Sequence, residues 1–469
     1  MDWLEADGFE VARQVLQRGI AAVYAIAFFS AVAQFRVLLG ENGLLPVPRY
    51  LARASARGPT LFRWRYSDRL LLAVAWTGAV VALLLVAGLP QAGPPWLPMA
   101  AFLLLWGLYM SIVNVGQTFY GFGWETLLLE AGFLAAFLGS NDIAPPVTVL
   151  WLFMWLAFRL EFGAGMIKIR GDRVWRDLTA LYYHHETQPM PNPASWFFHH
   201  LPKPLHKVEV AGNHFAQLVV PFFLFFPQPI GSIAAAILIA TQLWLVLSGN
   251  FAWLNWLTII IASAALGDRA IAAVLPGEPA LTPDYGPTPL WFTVVVLAVT
   301  ALMVALSYWP ARNLFAKRQL MNASFNRWHL ANAYGAFGSI TRERFEIVVE
   351  GTLDGDQWEE YQFKGKPGDP RRLPRQFAPY HLRLDWLMWF LALGAPGDSW
   401  FIPLLRRLLA ADRRTLRMLS RDPFDGAAPL QVRARVFHYR YSTWSELRRT
   451  GQWWIRRPVG LLVAPTSRL

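Results

Sequence analysis

The chain has no cysteine in 469 residues. Disulfides, thiolate nucleophiles and cysteine-ligated metals are therefore excluded. It is also short of charge: Asp, Glu, Lys and Arg make up 16%, where a soluble domain carries about 25%. It contains no nucleophile elbow, P-loop, dinucleotide glycine pattern or HExxH, so the usual sequence warrants for several enzyme classes are missing. The first ten residues are acidic (Asp2, Glu5, Asp7, Glu10) and lack the basic n-region of a cleavable signal. Trp3, Leu4 and Phe9 predict a short interfacial helix there.

What the chain has instead is apolar length. Hydrophobic residues make up 55%, including 23 Trp and 32 Phe, and runs near 20 residues place it in the polytopic membrane class. Nine spans are predicted, near 19–36, 70–89, 98–116, 124–140, 146–168, 212–227, 230–248, 251–267 and 290–309. Three basic stretches then share one side. The 37–69 loop carries Arg49, Arg53, Arg57, Arg63, Arg65 and Arg69, the 169–211 loop Arg170, Arg173, Arg176, Lys203 and Lys207, and Arg312, Lys317 and Arg318 follow the last span. The 89–97, 140–146 and 268–289 loops are neutral or acidic. By the positive-inside rule the basic side is cytoplasmic and the N-terminus outside. The net charge of +12 is accounted for by topology and by contact with the lipid bilayer. No basic stripe interleaved with aromatics is present, so no nucleic-acid partner is expected.

Beyond residue 310 the periodicity changes. Phe345, Ile347 and Val349 alternate with Glu346, Val348 and Glu350, and Val432, Ala434 and Val436 with Arg433, Arg435 and Phe437, the period of strands. Tyr361 and Phe363 flank Gln362 in the same way, after an Asp354-Gly355 turn pair. Leu384–Leu393 is apolar but too short to span, and Ser399–Ala411 is amphipathic with Arg406 and Arg407 on its polar side. The expected fold is an α-helical polytopic membrane protein of about nine transmembrane helices (1–310) with a small, membrane-associated C-terminal α+β domain (311–469).

Six of the nine histidines lie between His184 and His214, in a proline-rich loop. It follows a span carrying Glu161, Gly165 and Lys168 on one stripe: seven residues advance a helix about 700° and about 10 Å. Glu161 and Lys168 therefore face one way without touching. Arg159 points elsewhere, and Gly163, Ala164 and Gly165 permit close approach of another backbone. The stripe reads either as helix packing or as a desolvated Lys168 acting as a base with Glu161. Glu125 and Glu130 are too far around their helix to form a dyad; either is a candidate partner for Arg159 or Lys168. Adjacent histidines rarely share a metal, so no metal and no cofactor is expected. Gly121-Phe122-Gly123 is read as packing or a turn.

Several stretches resemble the lipase maturation factor family: Gly121-Phe122-Gly123-Trp124-Glu125-Thr126, residues 159–168, Tyr183–Pro193, Asn213-His214-Phe215, Asn326-Arg327-Trp328, Tyr334–Gly338, Arg344–Thr352, Phe363–Asp369 and Pro379–Trp386. The resemblance runs in order over nearly the whole chain. It implies a multi-pass membrane protein needed for secreted lipases to fold and assemble. In animals the family resides in the endoplasmic reticulum, with its conserved loop and tail in the lumen, the opposite of the cytoplasmic side that the charge pattern gives. Animal members carry tail cysteines, one near the position of Gly365, which this chain lacks. The cysteine-free, alanine- and arginine-rich composition also looks bacterial, which would mean an inner-membrane location. Phe162–Lys168 with Trp175 is similar to the membrane core of vitamin K-dependent carboxylases, a resemblance confined to one helix and its exit. It implies quinone-linked chemistry at Lys168.

Two functions are therefore expected to compete, and a transporter has nothing in its favour. One is a maturation factor for a secreted lipase or hydrolase client, bound through His184, His185, Glu186, Asn192, Trp196, His199, His200, Asn213, His214, Asp385 and Trp386. The other is a membrane enzyme acting on a quinone or lipid, with Lys168 and Glu161 as catalytic residues.

Overall fold

The computed structural model describes residues 2–53, 58–274, 284–395, 397 and 399–467. Arg57 of the first basic loop and residues 275–283 of the 268–289 loop lie outside the described residues. The membrane part is a helical bundle: α1 (Glu10–Leu39), α2 (Asp68–Ala87), α3 (Trp96–Val113), α4 (Gly123–Ala135), α5 (Val147–Arg170), the loop helices α6 (Leu181–Thr187) and α7 (Ser195–His199), then α8 (Lys203–Leu218), α9 (Ile230–Ser248), α10 (Leu254–Ala262) and α11 (Leu290–Leu306).

Among the described residues, seven helical segments are long and apolar enough to cross a membrane. They are α1, α2, α3, α5, α9, α8 extended to Phe225, and α11 extended to Phe315. An eighth results if α10 and the short helix Asp268–Val274, bent by 111°, form one broken span. The expected nine is thus approximate. Residues 124–140 hold α4, whose 13 residues reach only about 20 Å of a core about 30 Å thick. It is buried along its whole length except at Thr126, so its ends meet protein, where irregular backbone at membrane depth is tolerated. The side chains left exposed on α2, α9 and α11 include many large apolar ones, among them Trp76, Ile233 and Val304, as lipid-facing surfaces require.

Small residues set the helix spacing. A Cβ on Gly78 would fall within 2.3 Å of the Phe28 ring, and one on Gly132 within 2.1 Å of the Tyr24 hydroxyl. Polar side chains tie the ends. Asp268 accepts from the backbone N–H groups of Glu10 and Val11, both at 2.9 Å, capping the start of α1. Arg13 donates to the carbonyls of Ser140 and Ile143, and Gln17 to that of Gly139 at 2.8 Å. The 139–146 turn thus sits at the N-terminal end of α1. The described parts of the three basic stretches and the tail sit at the other.

The tail is built on a four-stranded antiparallel sheet of β1 (Arg344–Thr352), β2 (Glu359–Glu360), β3 (Gln431–Tyr441) and β4 (Trp454–Ser467), in the order β2-β1-β3-β4. The alternation at 345–349 and 432–436 reappears as β1 and β3. The Tyr361–Phe363 pattern gives only a two-residue strand and an isolated bridge at Gln362. One face, with Ile347, Val349, Val432 and Ala434, packs on α12 (Arg383–Ala392) and α13 (Phe401–Leu409). The other, with Val348, Phe437, Tyr439 and Tyr441, packs on Trp196 of the histidine loop. The first face shares a single core with the membrane helices.

Because the chain has no cysteine, the common side of loop and tail can be read by single-cysteine labelling. Trp64→Cys and Arg448→Cys should react with a membrane-impermeant maleimide from the same side, and Asp142→Cys from the opposite one. Reaction of Trp64→Cys and Arg448→Cys from different sides would contradict this arrangement.

Candidate functional site

The histidine loop is a belt between the bundle and the tail sheet. Its path is fixed by side chains that bond to backbone. Gln188 donates to the Ser248 carbonyl at 2.9 Å and to Ser195 at 3.0 Å. Asn192 donates to the Leu247 carbonyl at 3.0 Å and accepts from the Ala194 N–H at 3.0 Å. Pro189, Pro191 and Pro193 lack the N–H that would otherwise need a partner. Arg344, fully buried at the start of β1, donates to the carbonyls of Glu186 (3.0 Å), Gln188 and Pro189 (3.2 Å). Its charge is balanced by Glu346 at 2.6 Å, which also meets Lys366 at 2.9 Å. The sheet therefore grips the loop through one guanidinium.

The residues expected to bind a client are placed as follows. His184, His185, Asn192, Trp196, Asp385 and Trp386 are buried, which takes their side chains out of reach of a docked protein and leaves them a framework role. Burial pushes the His184 imidazole down to about 4 and holds His185 well below its ordinary value, so both rings are neutral. Trp196 donates to the Ser442 carbonyl at 2.9 Å and stands edge-on to Trp444, ring centroids 4.6 Å apart. Asp385 accepts from the N–H groups of Gly365 (2.6 Å) and Lys366 (3.2 Å). Trp386 packs with Phe122 and Trp124 of the bundle, 5.8 and 4.9 Å away. Glu186, His199, His200, Asn213 and His214 are half-buried. Glu186 accepts from the Tyr441 N–H at 2.7 Å and lies 3.7 Å from His199. His200 donates to the Trp196 carbonyl at 2.7 Å and His214 to that of Trp175 at 2.9 Å.

Glu161 and Lys168 share a stripe without direct contact, as their spacing requires. A residue not singled out in the sequence joins them: Gln217 donates to Glu161 at 3.0 Å and accepts from Lys168 at 2.9 Å. Asn213 also accepts from Lys168 at 2.8 Å, Gln242 donates to the other oxygen of Glu161, and Asn255 donates to Gln242 at 2.7 Å. The ammonium lies over the Trp175 ring, 4.7 Å from its centroid. A cleft of about 740 Å³ lies in the tail, lined by residues such as Gln362, Arg372 and Arg456, and does not reach Lys168. The chain Asn255–Gln242–Glu161–Gln217–Lys168–Asn213 is a satisfied polar ladder linking α5, α8, α9 and α10, which is the packing alternative.

Of the two acidic residues on α4, Glu130 pairs with Arg159, joined by Asn332 and by Tyr334 at 2.7 Å. Glu125 pairs with a residue sequence reasoning did not connect to it, Arg383 of the tail, at 2.6 Å, and accepts from Tyr109. His381, 3.5 Å from Glu125, accepts from the Trp124 indole N–H at 3.3 Å. Gly163 gives the expected backbone approach, since its Cβ would stand 2.7 Å from the Tyr334 carbonyl. Glu209 was also missed. One turn after His206, it faces both His206 and His185.

Residues 11–273 match the family model of the lipase maturation factor transmembrane domain, and residues 330–464 that of the lipase maturation factor C-terminal domain. The chain is 40% identical to lipase maturation factor 1 of Bos taurus over 99% of this chain and 90% of that protein. It is 39% identical to lipase maturation factor 1 of Homo sapiens over 99% and 89%, and 30% identical to lipase maturation factor 2 of Homo sapiens over 96% and 82%. No solved structure matches the chain. These animal relatives lend nothing to the bacterial look of the composition, and neither they nor the bonded state of Lys168 supports the enzyme reading.

Breaking a buried ion pair from one side costs about 3–5 kcal/mol. Arg383→Met should therefore destabilise the protein by that order in detergent unfolding, and Glu125→Gln in the same chain should recover part of the loss. Additive losses in the double variant would refute the pairing.

Burial also holds His199 and His381 near 4, like His184. Between about 4 and the ordinary 6.5 the unfolded chain binds more protons than the folded one, so stability rises with pH across this window. It should be lost as pH falls below about 6.5, on the order of 3 kcal/mol per histidine at the acid limit. Thermal unfolding in detergent between about pH 7 and about pH 5 measures it; a flat profile would contradict the neutral buried state.

Proposed function

The chain belongs to the lipase maturation factor family, and on that premise we propose that it is a membrane-embedded factor that assists the folding and assembly of a lipase client. The setting is a multi-pass membrane protein, in the endoplasmic reticulum in eukaryotic relatives. The observation supporting client contact outside the bundle is an exposed apolar surface where the histidine loop meets the tail. Phe197 and Trp444 are both about half exposed, with ring centroids 6.1 Å apart. Beyond them β4 is an edge strand that among the described residues pairs only with β3. It is exposed from Arg457 to Leu462, including Val459, Leu461 and Leu462. The exposed apolar stretch of an edge strand, here the segment between Pro458 and Pro465, is a template for adding a strand from another chain, and main-chain pairing of that kind tolerates varied client sequences. The belt residues His184, His185, Asn192 and Trp196, with Asp385 and Trp386 of α12, hold this surface in shape. Glu186, His199 and His200 form its half-buried support, whereas Asn213 and His214 lie along α8 against Lys168 and Trp175.

The test is complementation. In cells lacking their own lipase maturation factor and secreting a lipase, the intact chain should restore lipase activity. Phe197→Ala with Trp444→Ala should weaken client capture by roughly 30-fold, the equivalent of a 2 kcal/mol hot spot. Lys168→Met, at unchanged protein level, should keep the activity. Equal rescue by the double aromatic variant, or loss of rescue only on changing Lys168, would sink this reading.

A further inference from the structure

Three donors of metal-binding type converge where α6 meets α8. His185 comes from α6, and His206 and Glu209 lie one helical turn apart on α8. Their nearest donor atoms all lie within 4.8 Å of one another. His185 Nε2 stands 4.0 Å from Glu209 Oε2, and His206 Nδ1 stands 3.9 Å from the same oxygen. These separations are too long for hydrogen bonds.

The polar atoms involved are otherwise idle. His185 is 1% and His206 2% exposed. Neither ring nitrogen of His185 has a hydrogen-bond partner, nor has His206 Nδ1 or Glu209 Oε2. Buried polar groups are nearly always paired, so the three unpaired atoms that face one another, His185 Nε2, His206 Nδ1 and Glu209 Oε2, need a cause.

The opposite sides of two of these groups are fixed. His206 Nε2 lies 3.3 Å from the His199 carbonyl, to which its N–H donates, and this leaves Nδ1 with a free lone pair. Glu209 Oε1 accepts from the Trp244 indole at 2.7 Å, which turns Oε2 inward. An outer N–H held by a backbone carbonyl is the usual support of a metal-binding histidine.

We propose that His185, His206 and Glu209 form a binding site for a divalent first-row transition ion of the zinc type. Two imidazole nitrogens and one carboxylate oxygen suit such an ion, whereas magnesium and calcium prefer all-oxygen shells. A tetrahedral ion about 2.0–2.1 Å from each donor sets donor spacings near ~3.3 Å. Small side-chain rotations therefore close the site from its present 3.9–4.0 Å contacts to Glu209. The fourth position goes to water. The ion cross-links the loop helix α6 to the span α8, pinning the belt to the bundle.

The site was not legible from adjacent histidines, because its members are separated by 21 and 3 positions and only one comes from the His184-His185 pair. It does not depend on the client, so its test is binding alone. The intact chain in mild detergent, stripped with a chelator, is titrated with Zn²⁺, and separately with Co²⁺ followed by its visible absorption. One Zn²⁺ per chain, and the intense ligand-field bands of four-coordinate Co²⁺, are expected. Glu209→Gln keeps an acceptor for Trp244 and should lower affinity by at least the roughly 10–100-fold that losing an outer-shell partner costs. His206→Ala should do the same. The wild-type Co²⁺ spectrum decides the matter if a variant does not fold. Absence of stoichiometric binding to the wild-type chain, or equal affinity in Glu209→Gln, overturns the site.

Discussion

A carboxylate inside a membrane bundle needs partners for its charge, and Glu125 finds a cation in the tail. Arg383 lies 258 positions later, donates to Glu125 and to the Phe119 carbonyl, and sits 3.5 Å over the Tyr120 ring. Tyr109, His381 and Trp124 complete the surroundings. The pair makes the tail part of the membrane core: without it, a charge would be stranded on either side of the junction. The shared hydrophobic cluster, running from α1 through α4 to α12 and α13, joins the same elements.

The belt is a second expression of the same constraint. Irregular backbone beside a membrane must have its carbonyls and N–H groups satisfied, and here much of this falls to Gln188, Asn192 and Arg344. Arg344 cannot be exchanged for a lysine without loss, because a planar fork meets three carbonyls and a carboxylate at once. The loop is consequently tied to both the bundle and the sheet, and its exposed aromatic edge is held in place.

Much of this was legible. Period-two runs became β1 and β3, the apolar run at Leu384 became α12, and the helical angle between Glu161 and Lys168 put both on one face. Other parts were not. β4 has no clean alternation, since Arg456, Arg457, Pro458 and Gly460 interrupt it, and it is recognised only by pairing with β3. The partner of Glu125 lies hundreds of residues away, and no local pattern points to Arg383. Gln217 looks like any polar residue until a second helix brings it between two charges. The tail side chains Asp385 and Trp386, singled out through the family resemblance, are buried supports. A sequence match marks where a residue matters without saying whether it faces inward.

The Glu125–Arg383 junction also sets a clock. Synthesis proceeds at about 5–20 residues per second, so the 258 positions between the partners take roughly 10 to 50 seconds to appear. For that time α4 stands in the membrane without the guanidinium that completes it, held by Tyr109 and the helices around it. A factor that helps other proteins assemble thus passes through an unfinished state of its own, whose length is written into the distance between two residues.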